Sequence, residues 1–77
     1  MGLKQTVAGN VKRLRQERGY TQEELSALAG TNRNYTGMIE RRERSPTVDV
    51  LEKLAKALDI DPVALLTAGT GKDQTPS

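Results

Sequence analysis

Two short helix patterns follow each other almost without a linker in the middle of the chain. The first begins at Thr21, which forms a capping-box signature with Glu24 three residues later, and it ends at Gly30. The second begins at once, with Thr31 as its expected N-cap, and extends over about residues 32–41. A glycine turn between two short helices predicts a tight helical corner.

Three further segments have the periodicity of amphipathic helices, because their apolar residues recur at steps of three and four. These segments are about residues 3–18, 48–58 and 63–67. The apolar positions of the first two are Leu3, Val7, Val11 and Leu14, then Val48, Leu51, Leu54, Ala55 and Leu58. In the first helix of the central pair, we expect Leu25, Leu28 and Ala29 to form the buried face.

Every ordered segment therefore reads as helix, and no segment has the alternation of a strand. The sequence predicts an all-α fold, a compact bundle of five short helices around one core that comprises residues 1–67. Residues 68–77 are small, polar and aperiodic, and we expect them to form a disordered tail.

The composition argues against several classes of function. The chain contains neither histidine nor cysteine, so it lacks the usual general base, a thiol nucleophile and the preferred ligands of zinc. We therefore expect no enzymatic activity, no metal and no cofactor. No apolar run approaches the roughly 20 residues that a membrane span requires, and no secretory signal is evident. A soluble, cytoplasmic protein is the expectation.

The charges are distributed unevenly along the chain. Residues 1–44 carry nine basic and five acidic side chains, a net charge of +4, whereas residues 45–77 carry three basic and five acidic ones, a net charge of −2. A basic half is where a polyanion binds. Charge alone does not distinguish such a site from an ordinary solvated surface.

The corner between the central helices has the arrangement of a helix-turn-helix motif, whose second helix lies in the major groove of DNA. Base edges in that groove are read from near the N-terminus of this helix, where the sequence places Asn32, Arg33 and Asn34. Arginine forms two hydrogen bonds with guanine, and asparagine forms two with adenine. The alternative interpretation is a solvated helix face.

The rest of the second helix supports the same interpretation. Gly37 costs about 1 kcal/mol relative to alanine, and close approach to DNA would offset this cost. Met38 could touch a thymine methyl group. Arg41, Arg42 and Arg44 follow, and we expect them to contact phosphates, which positions a protein without specifying sequence. The alternative for these arginines is a solubilising loop.

Nearly all of the ordered chain resembles the lambda-Cro/434-repressor-like helix-turn-helix family, also called the XRE family. The matching residues are Leu14-Arg15, Thr21-Gln22-Glu23-Glu24-Leu25, Leu28-Ala29-Gly30, Tyr35, Ile39-Glu40-Arg41, Ser45-Pro46-Thr47, Leu51 and Leu54-Ala55-Lys56-Ala57-Leu58. This family includes phage repressors, restriction–modification controller proteins and small bacterial regulators. The resemblance implies a lambda repressor-like fold and a dimeric regulator that binds a pseudo-palindromic operator in double-stranded DNA.

The resemblance also implies roles for individual residues. The positions that match DNA contacts of the family are Gln22, Arg33, Asn34, Tyr35, Gly37 and Arg44. The positions that match its dimer surface are Ile60, Val63 and Leu66. Arg15 and Glu40 match a structural ion pair between the first and third helices. Thr36 departs from the pattern, because the family usually has an aliphatic core residue there.

Three hypotheses about function follow. The first is a sequence-specific transcriptional regulator, within which a restriction–modification controller, a phage-type repressor and an antitoxin-like autorepressor all remain open. The second is a protein-interaction module that keeps this fold without binding DNA. The third is an enzyme, for which the sequence offers neither a nucleophile–base pair nor a metal cluster. The exposed polar second helix with basic flanks favours the first.

Overall fold

Five helices form the regular secondary structure of residues 2–67, the part of the chain described by the structure, a computed structural model. In chain order they are α1 (Leu3–Glu17), α2 (Gln22–Leu28), α3 (Tyr35–Glu40), α4 (Val48–Leu58) and α5 (Val63–Leu66). These residues contain no strand, so the predicted all-α, five-helix fold is confirmed. The predicted tail, residues 68–77, lies outside the described residues. Across residues 2–67, every helix is too short or too polar to cross a membrane.

The core lies where α1 packs against α3 and α5, and where α2 packs against α3 and α4. Its fully enclosed apolar side chains are Val11, Leu25, Ile39, Leu54, Leu58 and Leu65. Burying one such side chain contributes about 1.5–3 kcal/mol. Each helix supplies at least one of them, so the short helices α3 and α5 are stabilised by packing, since isolated helices of this length do not persist in water.

Two leucines of the expected apolar faces are exposed. Leu3 is 60% exposed in the first turn of α1, and Leu28, the last residue of α2, is 56% exposed. The buried face of α2 consists of Leu25, Ser26 and Ala29, because this side of the helix meets both α3 and α4. At 100° per residue, Leu28 projects from the other flank of Leu25. The prediction that Leu28 is buried is therefore wrong.

A buried pair of hydroxyl groups joins α2 to α3. Ser26 Oγ lies 2.6 Å from Thr36 Oγ1 and accepts a hydrogen bond from the backbone N–H of Thr36 at 3.1 Å. Neither residue has any exposed surface. The N–H of Thr36 lies in the first turn of α3, where backbone donors have no partner within the helix. Ser26 therefore caps α3 from the neighbouring helix, which explains why a polar residue is accommodated at position 36.

Candidate nucleic-acid interface

The turn between α2 and α3 is longer than the sequence predicts. Gly30 begins it with a φ of +74°, in the left-handed region that glycine adopts without steric cost. Asn32 then closes a local turn, because its Oδ1 accepts a hydrogen bond from the backbone N–H of Asn34 at 3.0 Å. The helix α3 begins only at Tyr35, with Asn34 as its N-cap residue.

The predicted start of the second helix is therefore wrong. Thr31 does not cap it, because its hydroxyl donates to the carbonyl oxygens of Ser26 at 3.2 Å and Asn32 at 3.3 Å. The helix expected over residues 32–41 is the shorter α3, since the side chain of Asn32 competes with the helix for a backbone donor. Arg33 lies on the exposed turn that leads into α3.

The structure brings six of the ten predicted DNA-contacting residues to one shallow recess on the protein surface. These six are Gln22, Arg33, Asn34, Gly37, Met38 and Arg41. The lining is completed by Glu23 and Glu43, which the sequence did not single out. The other four predicted residues, Asn32, Tyr35, Arg42 and Arg44, lie on the adjoining turn, helix and loop. We call the recess lined by the six predicted residues, Glu23 and Glu43 the α3 face.

Both arginines of the α3 face are paired with carboxylates. Arg33 Nη2 lies 3.3 Å from Glu23 Oε2. Arg41 is held at two points by Glu43, through Nε to Oε2 at 3.0 Å and Nη2 to Oε1 at 3.2 Å. The hydrogen bond with Glu43 raises the pKa of Arg41, and the same bond lowers the pKa of Glu43. The second pair thus persists above the ordinary glutamate pKa and is lost as the pH falls through the lowered pKa of Glu43.

A third carboxylate, that of Glu40, orients Gln22. Arg15 donates from Nε to Glu40 Oε2 at 2.7 Å and from Nη2 to Oε1 at 3.0 Å, which is the ion pair that the family resemblance implies. The side chains of Arg15 and Glu40 are only 11% and 5% exposed. Gln22 Nε2 also donates to Glu40 Oε1, at 3.0 Å. The buried pair therefore fixes the first residue of α2 against α3.

Gly37 lies beneath two of these side chains. A Cβ atom at this position would stand 3.0 Å from Gln22 Oε1 and 3.1 Å from Arg41 Nη1, closer than such atoms ordinarily approach. The absence of a side chain lets both groups lie against α3 without the shift of a few tenths of an ångström that a Cβ would require. The sequence suggests close approach to DNA as the reason for this glycine, whereas the structure provides a reason within the protein itself.

The loop after α3 carries the remaining two cations. Arg42 has a φ of +62°, a left-handed conformation that residues with a side chain adopt only at a cost. The guanidinium carbon of Arg44 lies 5.8 Å from the centroid of the Tyr35 ring, within range of a cation–π interaction. Tyr35 and Arg44 are therefore placed together, and both stand at the edge of the α3 face.

The three residues assigned to a dimer surface lie on or next to α5. Val63 is 62% exposed and Leu66 is 38% exposed, whereas Ile60 is half-buried and packs against the core. Val63 and Leu66, three residues apart on α5, each expose apolar surface.

Two short helices joined by a glycine turn, with exposed amides and cations at the start of the second, define a helix-turn-helix domain. The family model described as Helix-turn-helix matches residues 11–65, from the middle of α1 to α5. The chain belongs to this family, that of the XRE-type regulators with a lambda repressor-like fold, as the resemblance in sequence indicated.

Relatives of the chain are regulators of transcription. The HTH-type transcriptional regulator y4dJ of Sinorhizobium fredii is 42% identical over 99% of this chain and 95% of its own length. The control protein C.SmaI of Serratia marcescens is 40% identical over 87% of this chain and 80% of its own length.

Solved structures show the same fold. The hypothetical transcription factor NHTF from Neisseria superposes with a TM-score of 0.86 at 31% identity, over 88% of this chain and 78% of its own. The N-terminal DNA-binding domain of SinR from Bacillus subtilis superposes with a TM-score of 0.79 at 31% identity, over 87% of this chain and 99% of its own. The family thus implies that the protein binds DNA and regulates transcription.

Proposed function

We propose that this protein recognises a specific sequence in double-stranded DNA by placing α3 in the major groove. The observation that carries the proposal is the position of Arg33 and Asn34, which stand exposed directly before α3, at the end from which helix-turn-helix proteins read base edges. Their donors and acceptors match guanine and adenine respectively. Met38, on the next turn, offers an apolar contact for a thymine methyl group.

The residues around the α3 face position the protein on the duplex. Arg42 and Arg44 stand exposed after α3 and contact phosphates there. Asn32 and Tyr35 flank the face and offer polar groups to the backbone. Gln22, oriented by Glu40, lies where the N-terminus of α2 meets the sugar–phosphate chain.

The proposed regulator acts as a homodimer. Val63 and Leu66 expose apolar surface on α5, and Ile60 lies beside them at the edge of the core. A domain of this size buries only about 60% of the surface that its unfolded chain exposes, so association through an apolar patch adds stability. A two-fold dimer binds a pseudo-palindrome whose half-sites are about 34 Å apart, or a multiple of that distance.

Selection from a pool of randomised duplexes tests the proposal. The full chain should enrich a pseudo-palindrome, and its affinity for the selected site should fall steeply between low and moderate salt, because bound phosphates release counterions. Arg33→Ala should weaken binding by about 1–3 kcal/mol and relax the preference at one base position. The matched control is Arg18→Ala, which removes an exposed cation at the end of α1 and should leave the selected sequence unchanged.

The opposite result is equally clear. A chain that binds no duplex even at low ionic strength would contradict the proposal and would leave the α3 face as a docking surface for another protein.

The relatives include both a control protein and an HTH-type regulator. The proposed role is therefore regulation of transcription, in the cytoplasm and without catalysis.

A further inference from the structure

The guanidinium of Arg41 lies back across α3. Its Nη1 atom stands 3.1 Å from where a Cβ of Gly37 would be, one helical turn towards the N-terminus. Helix side chains tilt in this direction, and a Cβ at position 37 would press against the guanidinium. Arg41 therefore lines the same recess as Arg33 and Asn34. This position is on the α3 face, where the sequence predicts that Arg41, like Arg42 and Arg44, contacts a phosphate.

Glu43 leaves one particular edge of this guanidinium available. The carboxylate occupies Nε and one hydrogen of Nη2. Of the five N–H donors of an arginine, the other Nη2 hydrogen and those of Nη1 remain. The free Nη2 hydrogen and one Nη1 hydrogen point in the same direction, away from the end of the side chain. This pair of donors matches the O6 and N7 acceptors of guanine.

The charge of Glu43 separates a base contact from a phosphate contact. A carboxylate bound to the guanidinium neutralises its charge and repels a phosphate that approaches the same group. The major-groove edge of guanine is uncharged, so it accepts the two hydrogen bonds without that repulsion. The same carboxylate fixes the plane of the guanidinium, which reduces the rotational freedom lost when two hydrogen bonds form.

We propose that Arg41 reads a guanine in the major groove and that Glu43 is the positioning residue that orients it. This inference rests on the proposed function and extends it by one base contact near the C-terminal end of α3. The site read by each subunit then contains a guanine in addition to the bases read by Arg33 and Asn34.

Selection from one randomised duplex pool, carried out with four proteins, tests this assignment. They are the unmodified chain, Arg41→Met, Glu43→Gln and the control Glu52→Gln. Arg41→Met keeps a long unbranched side chain and loses every N–H donor, whereas lysine could still donate to guanine. Glu43→Gln and Glu52→Gln change the net charge equally, but Glu52 is exposed on α4, away from the α3 face. The readout is the preference for each base at each position of the selected site.

The unmodified chain should select one guanine per half-site that Arg41→Met no longer prefers, with a loss of about tenfold or more at that position. Glu43→Gln should weaken the preference at the same position and leave the others unchanged, while Glu52→Gln should match the unmodified chain throughout. An unaltered preference in Arg41→Met, or an equal loss for all sequences, would overturn the guanine contact. Identical profiles for Glu43→Gln and Glu52→Gln would overturn the positioning role. If the unmodified chain selects no sequence at all, both the proposed function and the guanine contact are overturned.

Discussion

The side-chain nitrogen of Asn10 lies 2.9 Å from the carbonyl oxygen of Leu65, although 55 residues separate them along the chain. The same nitrogen donates to the carbonyl oxygens of Ala64 at 3.3 Å and Thr67 at 3.1 Å. Carbonyl groups at the end of a helix have no partner within it, so one amide on α1 satisfies the C-terminal end of α5. Asn10 is 6% exposed, and water therefore cannot easily take its place.

Asn10 should couple the stability of the fold to the attachment of α5. Asn10→Ala should lower the free energy of unfolding by about 1–3 kcal/mol, because the carbonyl groups at the end of α5 lose their donor. Because α5 carries the proposed dimer surface, the dissociation constant of the Asn10→Ala dimer should also be larger than that of the unmodified dimer. Urea unfolding and sedimentation equilibrium measure the two effects.

Asn10→Asp provides the matched comparison for this amide. At neutral pH, a carboxylate would face the carbonyl oxygens, so the loss of stability should exceed that of Asn10→Ala. Burial and the carbonyl oxygens raise the pKa of the introduced carboxyl more than Arg13, whose Nη2 donates to Asn10 Oδ1 at 3.4 Å, lowers it, and protonation restores a donor. Stability should therefore recover as the pH is lowered through that raised pKa, and it should be lost again as the pH rises. A loss that does not depend on pH would contradict this account.

The hydroxyl pair between α2 and α3 should respond unequally to removal of its members. Ser26→Ala should lower the free energy of unfolding by about 1–3 kcal/mol, because it leaves the buried hydroxyl of Thr36 without its partner and the backbone N–H of Thr36 without an acceptor. Thr36→Val should cost less, since Ser26 Oγ still accepts from the backbone N–H. Chemical denaturation measures both variants, and an equal or larger loss in Thr36→Val would show that Ser26 does not cap α3.

Arg42 should contribute to DNA binding at the expense of stability. Arg42→Gly relieves the left-handed conformation and should raise the free energy of unfolding by about 1 kcal/mol. It also removes a proposed phosphate contact, so the slope of binding against salt should fall by about one unit. Asp59→Gly is the matched control, because Asp59 has a φ of +59° at the end of α4.

Asp59→Gly should be stabilised less than Arg42→Gly, because aspartate adopts the left-handed conformation more readily than arginine. It should retain the salt slope of the unmodified chain, because the side chain of Asp59 lies away from the α3 face. Thermal unfolding and binding titrations at several salt concentrations check both variants. An unchanged slope in Arg42→Gly would remove Arg42 from the interface.

The features that could be predicted from the sequence depend on neighbours along the chain. The capping box of α2 forms as predicted, with Thr21 Oγ1 accepting from the N–H of Glu24 at 3.0 Å and Glu24 Oε1 from the N–H of Thr21 at 2.8 Å. Gly30 occupies the expected turn with a positive φ. These interactions span three residues or fewer, so their pattern is present in the sequence itself.

The candidate site was predicted less completely. Arg33, Asn34 and Arg41 were identified by residue type and position, and they line the α3 face. Glu23 and Glu43 were not identified as site residues, because glutamates are common on the surface of helices and loops in any soluble protein. Only the folded geometry shows that each binds an arginine of that face.

Local sequence patterns specify five helices, the order in which they follow, and the glycine corner that makes this chain a helix-turn-helix protein. The packing of the helices sets which side of each one faces inward, so Ser26 is buried while Leu28 is exposed. It also decided the contact between Asn10 and α5. Helix propensity and capping act over a few residues, whereas burial and long-range hydrogen bonds depend on which helices become neighbours once the chain has folded.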